Sequence, residues 1–215
     1  MNSVKPRNNF ATGILLLLLS LTLAACLREA PENPSRSHSR QTQPASPSSA
    51  LHPLAQAVDA IERINAMRST LAAGLVRVDT ITEATFNQVC RPVGQRLRML
   101  ARQHGWEVRQ IAIKYRNPAH KPEPEDLPLF ALFEQDTTLH SLTREIKNNA
   151  GVQGYRYVRR ITVEPGCLAC HGPRESRPAF IKQKYPDDRA YDFKVDDLRG
   201  LYSVFIPRDS VRMAQ

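Results

Sequence analysis

Apolar residues recur every three or four positions in two segments between residues 54 and 100, a spacing that predicts two amphipathic helices. The first stripe contains Leu54, Val58, Ile61, Ile64, Met67 and Leu71. The second contains Phe86, Val89, Cys90, Val93, Leu97 and Leu100, and its arginines lie on the opposite side: Arg91, Arg96, Arg98 and Arg102. Thr80 and Glu83 have the spacing of a capping box, which predicts the start of the second helix, and Gly105 predicts its end.

The pattern changes after Trp106, where short apolar runs predict strands. The predicted strands cover residues 108–113, 152–163 and 201–206. A short helix is predicted over Leu127–Gln135, and Arg116-Asn117-Pro118 predicts a turn. Two N-terminal helices followed by a small, mostly antiparallel sheet make an α+β fold.

The N-terminus has the features of a secretory signal peptide over residues 1–25. Lys5 and Arg7 precede an apolar run from Ile14 to Ala25 that is too short for a stable membrane span. The ending Leu-Ala-Ala-Cys resembles a bacterial lipobox, and by that resemblance Cys26 is lipidated and begins the mature chain. Leu27 then favours the periplasmic face of the outer membrane. Ordinary signal cleavage, with Cys26 incidental, is the alternative.

Residues 26–50 form a predicted disordered tether behind the lipidated cysteine. They are rich in Pro, Ser, Gln and Arg and show no apolar periodicity, so they cannot bury a core. The remaining residues, 51–215, suit a single domain. The net charge of +9 suits an anionic membrane surface or an acidic partner, or is simply a solvated face. No basic run interleaved with aromatics indicates nucleic-acid binding.

The most specific motif is Cys167-Leu168-Ala169-Cys170-His171, the C-x-x-C-H attachment signature of a c-type haem. Each thiol can add across one vinyl group of a porphyrin, and the adjacent imidazole can bind the iron. The alternatives are a redox cysteine pair or half of a zinc site, but zinc needs a second ligand pair and the sequence has no other cysteine pair. The motif therefore predicts one covalent haem c, which agrees with export because such haems are attached outside the cytoplasm. In a class I cytochrome c the motif would lie near the start of the chain, on a helix.

Cys90 is the remaining cysteine, unpaired in an oxidising compartment. It is either a buried core residue or the second axial ligand, since ferric iron favours a thiolate. The competing ligands are His104, His120, His140, Met67 and Met99. Of these, the two histidines at 104 and 120 are expected to be exposed, and the methionines are expected to fill the core.

Four cations are candidates to pair with haem propionates, or are solvated surface groups: Arg109, Lys114, Arg116 and Arg174. There is no Ser-His-Asp order, no paired carboxylates and no Gly-rich phosphate loop in the sequence. Hydrolysis and phosphoryl transfer therefore have no support.

From about Ala84 to Pro207 the chain resembles a bacterial family of exported haem c proteins with a PAS-like fold, long catalogued as a domain of unknown function. The matching segments are Val89-Cys90, Lys114-Tyr115-Arg116-Asn117-Pro118-Ala119, Cys167 to Gly172, Tyr185-Pro186-Asp187-Asp188-Arg189-Ala190 and Asp197-Leu198-Arg199-Gly200. The resemblance implies a PAS-like antiparallel sheet flanked by helices. It also implies His/Cys axial ligation of the iron, by His171 and Cys90.

The chain departs from the pattern of this family at several positions. Ile111-Ala112 replaces a Thr-Ser pair, His120 replaces an Asn, and glycines usual near Asp192 and Asp196 are missing. Asp tolerates the left-handed backbone conformation that Gly provides, so we expect the fold to be retained. The lost hydroxyls and amide change the hydrogen bonds available in the haem pocket.

With both axial ligands in place the iron is six-coordinate, and a thiolate donor favours the ferric state. Redox or small-ligand sensing, with the thiolate released on reduction, is the leading interpretation. A periplasmic electron-transfer protein is the alternative, and a peroxidase, which needs an open iron site, is least favoured. Either role requires a separate redox or signalling protein as partner.

Overall fold

Two long helices open the described part of the chain, residues 52–208 of a computed structural model. Helix α1 covers Pro53–Ala73 and helix α2 covers Glu83–His104, so both predicted helices are confirmed. The predicted signal peptide 1–25, the lipidated Cys26 and the tether 26–50 lie outside the described residues. Within residues 52–208, no helix combines the length and apolar character that a membrane span requires.

The N-terminus of α2 differs from the prediction by two residues. The capping residue is Thr82, whose hydroxyl accepts a hydrogen bond from the amide of Thr85 at 3.2 Å, while the Thr85 hydroxyl accepts from the Thr82 amide at 3.3 Å. Glu83 instead pairs with Lys184 at 2.6 Å, so it does not return to the cap. Gly105 ends the helix in the left-handed conformation, with φ of 66°.

Four antiparallel strands form one sheet in the order β1-β4-β3-β2. Their bounds are Glu107–Ile111 for β1, Ser141–Lys147 for β2, Gln153–Thr162 for β3 and Leu198–Pro207 for β4. Helices α1 and α2 pack on one face, and helix α3, Leu127–Gln135, covers the other. The predicted α+β fold, with a PAS-like antiparallel sheet and two helices before it, is confirmed.

Two details of the sheet differ from the prediction. Strand β2 was not predicted because it is an edge strand in which only Leu142 and Ile146 are half-buried, so its charged residues mask the apolar alternation. Ile113, expected within the first strand, lies beyond its end and is 43% exposed.

The C-x-x-C-H motif lies in the connection from β3 to β4. A 3₁₀ turn at Pro165–Cys167 leads into the one-turn helix α4, Leu168–His171, and helix α5 follows at Ala179–Lys184. Gly166 sits against the C-terminal end of α1, where a Cβ atom would overlap the carbonyl oxygen of Ala72. Only glycine therefore allows the motif to approach α1 this closely.

Replacing Gly166 by alanine is expected to lower the free energy of unfolding by about 1–3 kcal/mol, because backbone must move to remove the overlap. Gly74→Ala is the matched control, since a Cβ at Gly74 meets nothing within 4 Å and its φ is −61°. Chemical denaturation followed by circular dichroism measures both variants. Equal stability of the two would contradict this account of the contact.

Candidate functional site

A cavity lies between helices α1 and α2, the sheet and the C-x-x-C-H motif. It encloses about 1040 Å³ of space not occupied by atoms, including its solvent-facing mouth. Its apolar wall is formed by Ala72, Leu75, Phe86, Val89, Val93 and Ile161.

Both motif cysteines line this cavity. Cys170 is 4% exposed and Cys167 is half-buried, and neither forms a disulfide. Within residues 52–208, no three His, Cys, Asp or Glu side chains are grouped closely enough to hold a metal ion.

His171 presents an imidazole suited to binding iron. Its Nδ1 lies 2.7 Å from the carbonyl oxygen of Ala190, which can only accept a hydrogen bond, and 3.4 Å from Nη2 of Arg116, which can only donate. The shorter contact places the proton on Nδ1, which donates it to Ala190. The lone pair is then on Nε2, the other ring nitrogen. Burial, together with the charges of Arg199 and Arg116, lowers the pKa of His171 well below its usual value. The imidazole is therefore neutral, as a metal ligand must be.

Cys90 lines the same cavity from α2, on the inner face of the helix beside Val93. Burial, and secondarily the nearby thiol of Cys170, raises the pKa of Cys90 to about 11. Without a metal the group is a neutral thiol at pH 7, and only a cation placed against it would make it a thiolate. The structure thus brings Cys90, Cys167, Cys170 and His171, four residues predicted from the sequence, to one cavity.

Arg116 also lies in the cavity, but its charge is already paired. The guanidinium is 7% exposed, its Nη2 donates to the carbonyl of Cys170 at 2.7 Å, and its Nε lies 3.3 Å from Asp188. Asp188 in turn accepts from Arg177 at 2.9 Å. Arg116 therefore holds the backbone of the motif in place, and a propionate would have to compete with Asp188 for it.

The other three cations that the sequence offered for propionates lie away from the cavity. Arg109 pairs with Asp126 at 3.3 Å on the face of the sheet that α3 covers. Lys114 lies over the ring of Phe193, 4.1 Å from its centre. Arg174 is exposed and lies over the ring of Tyr191.

Arg199 is the cation that the sequence analysis missed. It lines the cavity, its one hydrogen bond goes to the carbonyl of Lys114 at 3.1 Å, and it forms no ion pair within residues 52–208. Burial, added to the charge of Arg116, lowers its pKa to about 10. Arg68, also in the cavity, differs because it pairs with Glu164 at 2.6 Å. Arg199 is thus the arginine of the cavity whose charge is available to pair with an anionic group.

A β-bulge explains why Arg199 faces the cavity. Ile161 pairs with Gly200 and Thr162 pairs with Leu198, so Arg199 is an extra residue without a partner on β3. Strict alternation would place residues 199 and 202 on opposite faces of the strand, yet both Arg199 and Tyr202 line the cavity. The apolar pattern of the sequence does not reveal a bulge.

Tyr202 forms part of the cavity floor. It is 1% exposed, and its hydroxyl has no well-formed hydrogen bond within the described residues. Burial raises the pKa of Tyr202 to about 12, so the hydroxyl keeps its proton. A buried polar group without a partner is costly unless a bound group supplies one. The cavity therefore presents a set of groups that fits a haem: the two motif thiols, Nε2 of His171, the guanidinium of Arg199 and the hydroxyl of Tyr202.

The competing axial ligands are placed as follows. His120, which was expected to be exposed, is half-buried and lines the cavity, where burial and the charge of Arg199 lower its pKa. His104, also expected to be exposed, is half-buried outside the cavity because its ring stacks on Trp106, with ring centres 4.2 Å apart. His140 and Met99 are exposed, the latter contrary to expectation, and Met67 packs against the core as predicted.

The two aspartates near the missing glycines take the expected left-handed conformation. Asp192 and Asp196 have φ angles of 55° and 71°. Asp192 also accepts a hydrogen bond from the amide of Arg174 at 2.9 Å. The prediction that aspartate retains the left-handed backbone is confirmed.

Comparison with known proteins gives two matches. The profile of the Tll0287-like family matches residues 46–207. The crystal structure of the cyanobacterial heme-protein Tll0287 is similar to this chain, with 44% sequence identity and a TM-score of 0.66, over 73% of this chain and 95% of that one. No curated protein matches.

Proposed function

The chain belongs to the Tll0287-like family, whose solved relative is a heme-protein, and from this premise we propose that it carries one covalent c-type haem in the cavity beside α2. Membership of the family indicates haem binding. The observation that supports covalent attachment is the convergence of Cys167, Cys170 and the Nδ1-protonated His171 on a single cavity.

A haem held there would supply a one-electron iron couple. His171 would bind the iron through Nε2, and its hydrogen bond to Ala190 fixes the orientation of the ring. Cys90, which lines the same cavity, would bind the iron as a thiolate. Arg199, the guanidinium without a carboxylate, would pair with a propionate.

Cys90 is the residue that makes the site responsive. Its thiol has a pKa of about 11 when no metal is present, so the thiolate depends on the positive charge opposite it. A bound haem would supply the positive charge that favours the thiolate of Cys90, and a lower charge would favour the protonated, unbound thiol. Because Cys90 is part of α2, its release would free this helix to shift, which suits redox or small-ligand sensing. Electron transfer, with the ligand retained, is the alternative.

We further propose export and lipid anchoring at the periplasmic face of the outer membrane. The supporting features are the signal-like residues 1–25 and the lipobox-like ending at Cys26. They agree with C-x-x-C-H chemistry, which requires attachment outside the cytoplasm. Labelled palmitate should enter the protein and be absent from Cys26→Ser; incorporation into the variant would exclude this anchor.

Carbon monoxide binding separates the two roles. If Cys90 leaves on reduction, carbon monoxide should bind the ferrous protein and not the ferric protein, giving a shifted absorption maximum. If Cys90 stays bound in both states, carbon monoxide should leave both spectra unchanged, and the electron-transfer alternative would replace sensing. Cys90→Ser serves as the reference with an accessible iron site.

Replacing Arg199 by glutamine is expected to lower the reduction potential by tens of millivolts. A unit positive charge in a partly buried site disfavours the ferric state by about 1–2 kcal/mol, and about 59 mV corresponds to a tenfold change for one electron. Arg174→Gln is the control because that arginine lies outside the cavity. Spectroelectrochemical titration measures the reduction potential of each variant. Equal shifts in the two variants would show that Arg199 has no special effect on the haem.

A further inference from the structure

Helix α2 carries a stripe of arginines on the side opposite its buried face. Successive helical residues are rotated by about 100°, so Arg91, Arg98 and Arg102 fall within about 40° of one another. Val93, Leu97 and Leu100, the buried residues of α2, point the other way. Arg91, Arg98 and Arg102 are all exposed, and we call them the arginine stripe. Arg96 is exposed too but faces the groove beside α1.

No residue among 52–208 neutralises the arginine stripe. None of its three members forms a hydrogen bond or an ion pair there, and Glu83, the single acidic residue of α2, is occupied by Lys184. Arg98 and Arg102 are also four residues apart, a like-charge spacing that destabilises a helix. Arg102 is favoured by the helix dipole in the last turn of α2, but within residues 52–208 no acidic side chain pairs with the stripe, which leaves a positive field on its outer side.

The composition of this surface favours a protein partner over a lipid surface. Protein interfaces are enriched in Arg and Met and depleted in Lys; α2 has four arginines, no lysine and a Met99 that is 47% exposed beside the stripe. Helices that lie in a membrane interface insert aromatic or leucine side chains. No aromatic side chain of residues 52–208 is exposed, and both leucines of α2 are buried.

We propose that the arginine stripe is the docking surface for an acidic partner protein. This deepens the proposed function and rests on it, because Cys90 occupies the inner side of the same helix. A partner seated on the outer side would contact the element that holds the axial ligand. It would be placed to respond to a shift of α2, or to exchange an electron over a short distance.

The test uses the mature holoprotein and the soluble domain of cytochrome b5 as a folded acidic probe. Binding is measured by surface plasmon resonance at about 20 and 200 mM salt. The variant Arg91→Gln/Arg98→Gln/Arg102→Gln should bind at least about tenfold more weakly at low salt, and the wild type should lose affinity as salt rises. The control Arg77→Gln/Arg144→Gln/Arg208→Gln removes the same charge elsewhere and should stay within about twofold of the wild type.

Equal weakening of both triple variants would overturn the proposal, because net charge alone would then explain the binding. Unchanged affinity of the stripe variant would overturn it as well. Phosphatidylglycerol vesicles form the second arm: stripe-dependent sedimentation with vesicles, without stripe-dependent binding of the protein probe, would assign the surface to lipid. The absorption spectrum of the wild-type protein tests the haem proposal separately. If no haem is bound, the spectrum shows it, whereas the binding assay reports only on the arginine stripe.

Discussion

The double variant Cys167→Ser/Cys170→Ser is expected to retain no covalently bound haem. Both thiols line the cavity and would form the two thioethers of the proposed attachment, whereas serine hydroxyls do not form a thioether. After denaturing electrophoresis, peroxidase staining should be strong for the wild type and absent for the double variant. A reduced stain is expected for either single variant, which keeps one thioether.

Cys90→Ser is the matched control for this experiment, because it removes a thiol that lines the same cavity but lies outside the motif. Its stain should equal that of the wild type. A stain that persists in the double variant, or one that disappears in Cys90→Ser, would contradict attachment through the motif.

Cys90→Ser is also expected to change the ferric absorption spectrum and to raise the reduction potential. With Cys90 as the proposed thiolate ligand, its loss would remove the charge-transfer band and the donor that stabilises ferric iron. The potential should rise on the order of 100 mV, a fraction of the roughly 0.8 V range that axial ligands control. Optical spectra of both oxidation states and a redox titration give the two readouts.

Val89→Ala is the control for that change. Val89 precedes Cys90 on α2 and lines the same cavity, but it has no atom that binds iron. If this variant altered the spectrum as much as Cys90→Ser does, the effect would come from disturbed packing. If Cys90→Ser left the spectrum unchanged, Cys90 would be a core residue.

The periodicity of the sequence was sufficient to predict helices α1, α2 and α3 and the side of α2 that faces the cavity. Helix α3 begins and ends where predicted, and Cys90 lies on the buried side of α2 because it shares the phase of Val93 and Leu97. The C-x-x-C-H spacing identified the motif residues directly. These features are local, so residue order alone defines them.

The features that the sequence did not predict depend on contacts between distant segments. The bulge that places Arg199 in the cavity exists only in the register between β3 and β4. Arg109 is held by Asp126, a fully buried carboxylate on another element. His120 reaches the cavity because its carbonyl accepts a hydrogen bond from Ala112 at 2.9 Å, which folds the turn back onto β1. Apolar spacing carries no information on such pairings.

The intact mass of the mature wild-type protein under denaturing conditions tests the central claim most directly. The expected mass is that of the processed polypeptide plus one haem, with the addition located by peptide mapping on the segment that contains Cys167 and Cys170. A polypeptide of unmodified mass, with both thiols open to alkylation, would contradict it.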